Sequence, residues 1–264
     1  MGHVRVLTLP SNASYHLYPE NRTSHYRVEL AKRLNFDDGK YEVGLTAFHY
    51  PRTWYNLPNG GQYHMNIAHV DDDDDSFAEI TIPIYPGYYA GAEQVKSLLN
   101  LRIVNAISQK SHRPKVKLDA ITGKFDIHVP ENRVVKISSD LAIKMGWPPP
   151  EGDYQILTGM NRSPGVARID EVGMIFVNCD IAADHHMIGG HMAPLLQTVS
   201  VSGNHGDYVS FKPKHIHWLP LRTNSFTTVE IVISDAQGRL VLFEHGIASV
   251  QVQIWRVTRF HNGV

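Results

Sequence analysis

Apolar and polar positions alternate with a period of two along much of this chain, most plainly over residues 226–257, FTTVEIVISDAQGRLVLFEHGIASVQVQIWRV. Val229, Ile231 and Ile233 form one apolar set; Val250, Val252 and Ile254 form another, with Ser249, Gln251 and Gln253 between them. That period belongs to half-buried antiparallel strands. Asp235-Ala236-Gln237-Gly238 reads as a hairpin turn between the two runs, with Gly238 supplying the positive φ that such a turn needs. Such an ending, with similar runs near the start, predicts a closing β-sandwich.

Further strand-like runs are predicted at 3–9, 26–30, 41–50, 63–70, 77–84, 116–120, 125–129, 174–179, 193–202 and 208–218. Tyr26, Val28 and Leu30 share one face, and the 116–120 and 125–129 runs read as a hairpin about Ile121-Thr122-Gly123. Regular spacing with turn residues between the runs is the pattern of a sandwich or jelly roll. Two segments break it. Val95, Leu98, Leu99, Ile103 and Ile107 recur at helical spacing, predicting a helix of about four turns. A shorter helix is predicted at 139–145, with Ser138 or Ser139 as N-cap, Gly146 as C-cap and Pro148-Pro149-Pro150 as a firm stop. Residues 148–170, rich in Pro and Gly, read as a long surface loop. No internal repeat and no dividing linker is evident. The expectation is an all-β protein, a single jelly-roll β-sandwich domain spanning 1–264 with one inserted helix and a second short one.

Bulk properties narrow the function. The chain has 264 residues, 42% of them hydrophobic and 19% charged, with a net charge of −1. It is long enough for a substantial core, ordinary enough in composition to fold, and lacks the basic field of a nucleic-acid binder. The single cysteine, Cys179, allows no intrachain disulfide and fits a reducing compartment. No apolar run approaches the roughly 18 residues of a membrane helix. The opening MGHVRVLTLPSNAS has neither the charged nor the long apolar region of a secretory signal, so the sequons at Asn12, Asn21 and Asn161 are expected to be unused.

Sixteen histidines invite a metal reading. His215 and His217, two apart on a predicted strand, resemble the start of a cupin metal motif, but the carboxylate ligand is missing from the Trp218-Leu219-Pro220-Leu221-Arg222 that follows. His185, His186 and His191 flank Gly189-Gly190 at a spacing that matches no zinc module. Imidazole titrates near neutrality, so a histidine cluster is a candidate pH sensor at an assembly interface; assembly indifferent to pH between about 5 and 8 would reject it. The five consecutive aspartates at 71–75 lack the EF-hand pattern and read as an exposed acidic loop. Lys110, His112, Arg113, Lys115 and Lys117 form a modest basic stretch. Cys179 sits in an apolar run and reads as core. Neither a nucleophile elbow, a P-loop nor a dinucleotide fingerprint is present. No enzyme, metal or cofactor is expected.

Several phrases occur in a distinctive order: LPSNASYHLYPENRTSHYRVELAKRLNFDDGKYEVGLTAFHYPRTWYNL, ITIPIYPGYYAGAEQVKSLLNLRIVNAI, KLDAITGKFDIHV, SSDLAIKMGW, MIFVNCDIAADHHMIGGHMAPLLQTV and the closing strands. This order resembles the penton, or minor capsid, proteins of Polinton/Maverick-type elements and the related adintoviruses, over roughly residues 4–257. The resemblance implies a single jelly roll forming homopentamers at the fivefold vertices of an icosahedral capsid. The partners implied are further copies of itself and a double-jelly-roll major capsid protein, without sequence-specific nucleic acid or membrane insertion and with no defined host receptor. The location implied is the virion, with synthesis in the host cytoplasm and assembly in the nucleus. The family supplies no catalytic residues. The acidic run and the triple proline depart from its pattern and mark variable loops.

Five copies can close a ring through one repeated heterologous interface, and aromatics bury much area there at low entropic cost. Trp54, Tyr55, Tyr88, Tyr89 and Trp147 lie in or next to predicted loops and are the candidate subunit-interface residues. Two alternatives come from other classes. A jelly-roll lectin would stack sugars on Tyr15, Tyr18, Trp54 and Tyr55; a cupin-like metal enzyme would use His215 and His217.

Overall fold

The computed structural model describes residues 4–69, 79–169 and 172–257. Three strands come first, β1 (Arg5–Pro10), β2 (His25–Asn35) and β3 (Tyr41–Pro51). Next come β4 (His64–His69), β5 (Ile80–Pro83), helix α1 (Ala92–Ala106), β6 (Lys115–Leu118) and β7 (Phe125–His128). They are followed by β8 (Arg133–Ser138), helix α2 (Ser139–Lys144), β9 (Tyr154–Leu157) and β10 (Met160–Arg162). The last group begins with β11 (Met174–Cys179), β12 (His186–Ile188), β13 (His191–Ala193) and β14 (Leu195–Ser200). It ends with β15 (Tyr208–Phe211), β16 (Leu219–Pro220), β17 (Ser225–Asp235) and β18 (Ser249–Arg256).

These elements gather into two units, one made of Met1–Trp54 with Val172–Val264 and the other of Tyr55–Glu171. The sequence, showing no linker, had suggested one undivided domain over 1–264.

In the first unit one sheet runs β1-β18-β3-β15, with β16 also on β3, and the other runs β14-β11-β17-β2. The pairings are antiparallel. Lettering the eight main strands B to I in chain order gives sheets B-I-D-G and C-H-E-F, the connectivity of a jelly roll. The Tyr55–Glu171 unit therefore enters the chain between the third and fourth strands of that roll. The apolar sets read from the sequence face inward: Tyr26 and Val28, Ile175, Val177 and Cys179, Val229, Ile231 and Ile233, and Val250, Val252 and Ile254 all belong to one buried cluster.

The expected terminal hairpin is not formed. β17 pairs with β2 and β11, whereas β18 pairs with β1 and β3 in the opposite sheet. Period-two patterning fixes which face is buried but not which strand lies alongside. The Asp235 turn instead folds the chain onto a single bridge, Ser234 to Leu240. Gly238 does take a positive φ of 80° there, and the Asp235 carboxylate accepts from the Gln237 and Arg239 N–H groups, both at 2.9 Å.

The predicted strand at 208–218 also ends early, at Phe211. Residues 216–218 lie against β3 at Gly44, where an added Cβ would meet the Ile216 side chain and come within 2.9 Å of the His217 carbonyl oxygen. This strap brings the Trp218 ring to 5.3 Å from Trp255.

The second unit contains the sheets β5-β4-β8-β9 and β10-β7-β6. Its buried cluster includes Met65, Ile67, Val95, Leu99, Ile103, Phe125, Ile127, Val135, Ile137 and Trp147. Helix α1 presents the predicted stripe, with Val95, Leu99 and Ile103 buried. Asn100 on α1 takes the place of a neighbouring strand for β6. It donates to the Val116 carbonyl at 2.7 Å and accepts from the Val116 N–H at 3.1 Å. Helix α2 ends as predicted at Gly146, whose φ is 94°. The Trp147 N–H bonds to the Ala142 carbonyl and the Gly146 N–H to that of Ile143, the Schellman pair that satisfies the last turn. The expected loop 148–170 contains β9 and β10, and β8 was not foreseen. All three are short, and Ile156 and Met160 point outward, 61% and 85% exposed, so no clean alternation marks them.

Candidate interaction surfaces

Two of the five aromatic candidates are core residues. Trp54 is 2% exposed; its ring stacks on Tyr50 at 6.2 Å, meets Phe243 edge-on at 5.7 Å and lies under the Arg52 guanidinium at 5.9 Å. Trp147 is 7% exposed because the Schellman turn after α2 directs it into the second unit's core. Neighbouring Pro and Gly made both look like loop residues, yet both indoles are buried within the subunit. Tyr55, Tyr88 and Tyr89 are half-buried. The Tyr89 backbone is clamped by Asn56, which donates to its carbonyl at 2.7 Å and accepts from its N–H at 2.9 Å. The Tyr89 hydroxyl donates to the Tyr85 carbonyl at 2.7 Å. The sequence reading passed over Tyr85, which is 63% exposed beneath the Arg102 guanidinium at 4.7 Å.

On the first unit, Val4, just before β1, and Val6, on that edge strand, are exposed. Their signal lay in VRVLTL, where apolar residues occupy both phases of the alternation. Trp255 and Trp218 form a half-exposed pair, with the Trp255 indole N–H donating to Glu42 at 3.1 Å. The histidine segment, expected to be irregular, is a β12–β13 hairpin pairing Ile188 with His191 and Met187 with Met192. Both methionines are exposed. His186 lies 6.0 Å from His217, ring to ring, and the two line a cleft of about 120 Å³ with Gln197. Among the described residues no three His, Cys, Asp or Glu side chains converge as a metal site would require. His215 is exposed beyond the end of β15. Asn21, a sequon residue, is buried and clamps both backbone groups of Arg27 at 2.9 Å.

Charge on β17 is organised around Glu230, which bonds to His25 at 2.5 Å and to Arg27 at 3.3 Å. Burial raises its affinity for a proton, but the His25 and Arg27 bonds outweigh that and hold the carboxyl below its ordinary value. Nearby Asp180 is shifted the other way, chiefly by burial. It nonetheless accepts from the Glu230 N–H at 2.9 Å. The Cys179 thiol is fully buried and pushed up by that burial, which leaves it a core group rather than a nucleophile.

The basic stretch divides. Arg113 turns back to the end of α1, donating to the Ile107 carbonyl at 2.6 Å and the Ser108 carbonyl at 2.9 Å. Lys115 and Lys117 are exposed on β6 and line a groove of about 300 Å³ with Asp126, His128, Met160 and Arg162. The acidic run 71–75 lies outside the described residues.

No protein-family model matches the chain, and no curated protein matches it. Among solved structures it is similar to the mavirus penton protein, at 11% identity and a TM-score of 0.47, over 97% of this chain and 100% of that one. It is also similar to a chain in the 3.5 Å cryo-EM structure of the Sputnik virophage, at 10% identity and a TM-score of 0.42, over 97% and 98% of the respective chains.

Proposed function

We propose that this chain is a viral structural protein, a penton-type minor capsid subunit that forms homopentamers at icosahedral vertices beside a double-jelly-roll major capsid protein. The observation that carries the reading is the B-I-D-G and C-H-E-F connectivity of the first unit. That fold closes its core within one chain and leaves its loops and edge strands free for neighbours. The order of sequence phrases from residue 4 to 257 supports the same reading. The lectin alternative loses Trp54, whose ring is enclosed by Tyr50 and Phe243 and offers no face to a sugar. For the cupin alternative, the predicted strand that was to carry His215 and His217 ends at Phe211.

Native mass tests the proposal. Light scattering on the purified chain near neutral pH and moderate salt is expected to give a particle of five times 29.7 kDa. A monomer that binds stoichiometric metal, or that binds glycans as an isolated subunit, would replace the reading with one of its alternatives.

A further inference from the structure

The groove on the β6-β7-β10 face has a charge pattern that the fold does not use. Cross-strand register sets Lys115 beside His128 and Met160, and Lys117 beside Asp126 and Arg162. Arg162 is committed: it bonds Asp119 at 2.5 Å and the Thr122 hydroxyl at 2.7 Å, and lies 3.7 Å from Asp126. Lys115 and Lys117 are exposed and make no ion pair among the described residues. Two free ammonium groups thus stand on one face of a strand, two residues apart, about 7 Å along its axis. Consecutive carboxylates in an extended segment offer every second side chain to one face at that same repeat.

We propose that this groove receives an acidic chain segment, and that its occupant is the five-aspartate run 71–75 of a second copy. The inference rests on the capsid reading, because a closed ring needs two different, complementary patches on each subunit. An acidic run and a basic groove carried by one chain are such a pair. Nucleic acid fits less well, because a phosphate backbone tracks a longer positive stripe than two residues provide.

The experiment titrates a labelled peptide of residues 69–77, HVDDDDDSF, against the full chain and against a chain whose five aspartates are replaced by serine. Fluorescence anisotropy is the readout. The serine chain is expected to bind the peptide, more weakly as salt rises from about 50 to 300 mM. Lys115→Gln with Lys117→Gln is expected to weaken binding about tenfold, the scale of two exposed ion pairs. Unchanged melting temperature would show that the variant is folded. No binding to the serine chain, binding indifferent to the lysine pair, or tighter binding of a single-stranded oligonucleotide of equal charge would overturn the groove's assignment. The assembled mass separates the remaining cases. If the wild-type chain assembles and the serine chain keeps the same mass, the second-copy occupant is wrong while the capsid reading stands. If the wild-type chain does not assemble, the capsid reading loses its support, and the peptide titration still judges the groove.

Discussion

Trp147 shows how far a single residue can be read from sequence. Its neighbours Gly146 and Pro148 suggested a loop and therefore a contact residue, but the Schellman hydrogen bonds turn its ring inward. Trp147→Ala is expected to cost about 3–5 kcal/mol, as truncation of a buried aromatic does. Denaturant unfolding should show the loss, with any loss of assembly following from it; assembly lost at unchanged stability would restore the interface role. Asp180 gives a second prediction, with a definite sign. Its pKa is raised, so the folded state holds a proton that the unfolded state has already released, and stability declines as pH rises from the ordinary carboxylate value to the raised one. Asp180→Asn removes that cost and keeps an oxygen for the Glu230 N–H. The variant is expected to melt above the wild type near pH 7 and level with it near pH 3. Glu230, whose pKa is lowered, contributes in the opposite sense: its stabilisation is present above the ordinary carboxylate range and is lost as pH falls through the lowered value. A gain for Asp180→Asn that persisted unchanged in acid would reject this account.

Among the elements, local signals were legible and partnerships were not. The stripe of α1, the stop at Gly146 and the inward sets of β11, β17 and β18 follow from spacing and glycine chemistry alone. The pairing of β17 with β2 and of β18 with β3 does not, since alternation says nothing about which strand lies next to which. Short strands such as β9 and β10 carry too few residues for a period to emerge. The strap over β3 was also hidden, because Gly44 in YEVGLTAF reads as a weak point in a strand rather than as a landing site. Gly44→Ala tests that role. With no room for a methyl group against Ile216 and the His217 carbonyl, residues 216–218 must shift, at a cost of about 1–3 kcal/mol. Tryptophan fluorescence should change as Trp218 leaves Trp255. An unaltered spectrum and melting temperature would show that the strap is not seated at Gly44.

At the scale of the whole molecule, the sequence conveyed the class of fold. The jelly roll is complete without Tyr55–Glu171, and the second unit has its own buried cluster and its own helices. Of the candidate interface, Tyr55, Tyr88 and Tyr89 are half-buried and the two tryptophans buried. The free apolar and charged positions lie instead at Val4 and Val6, at the Met187–Met192 pair and in the Lys115–Lys117 groove. The basic stretch and the two-phase apolar run at VRVLTL were visible in the sequence, but which of their residues face outward together depends on which strand is an edge and which face is covered. The central claim is that copies of this chain close a fivefold ring. Electron microscopy of the purified assembly tests it most directly: class averages down the particle axis should show five equivalent subunits around a centre. Twofold particles, open filaments or single subunits at every concentration examined would contradict it.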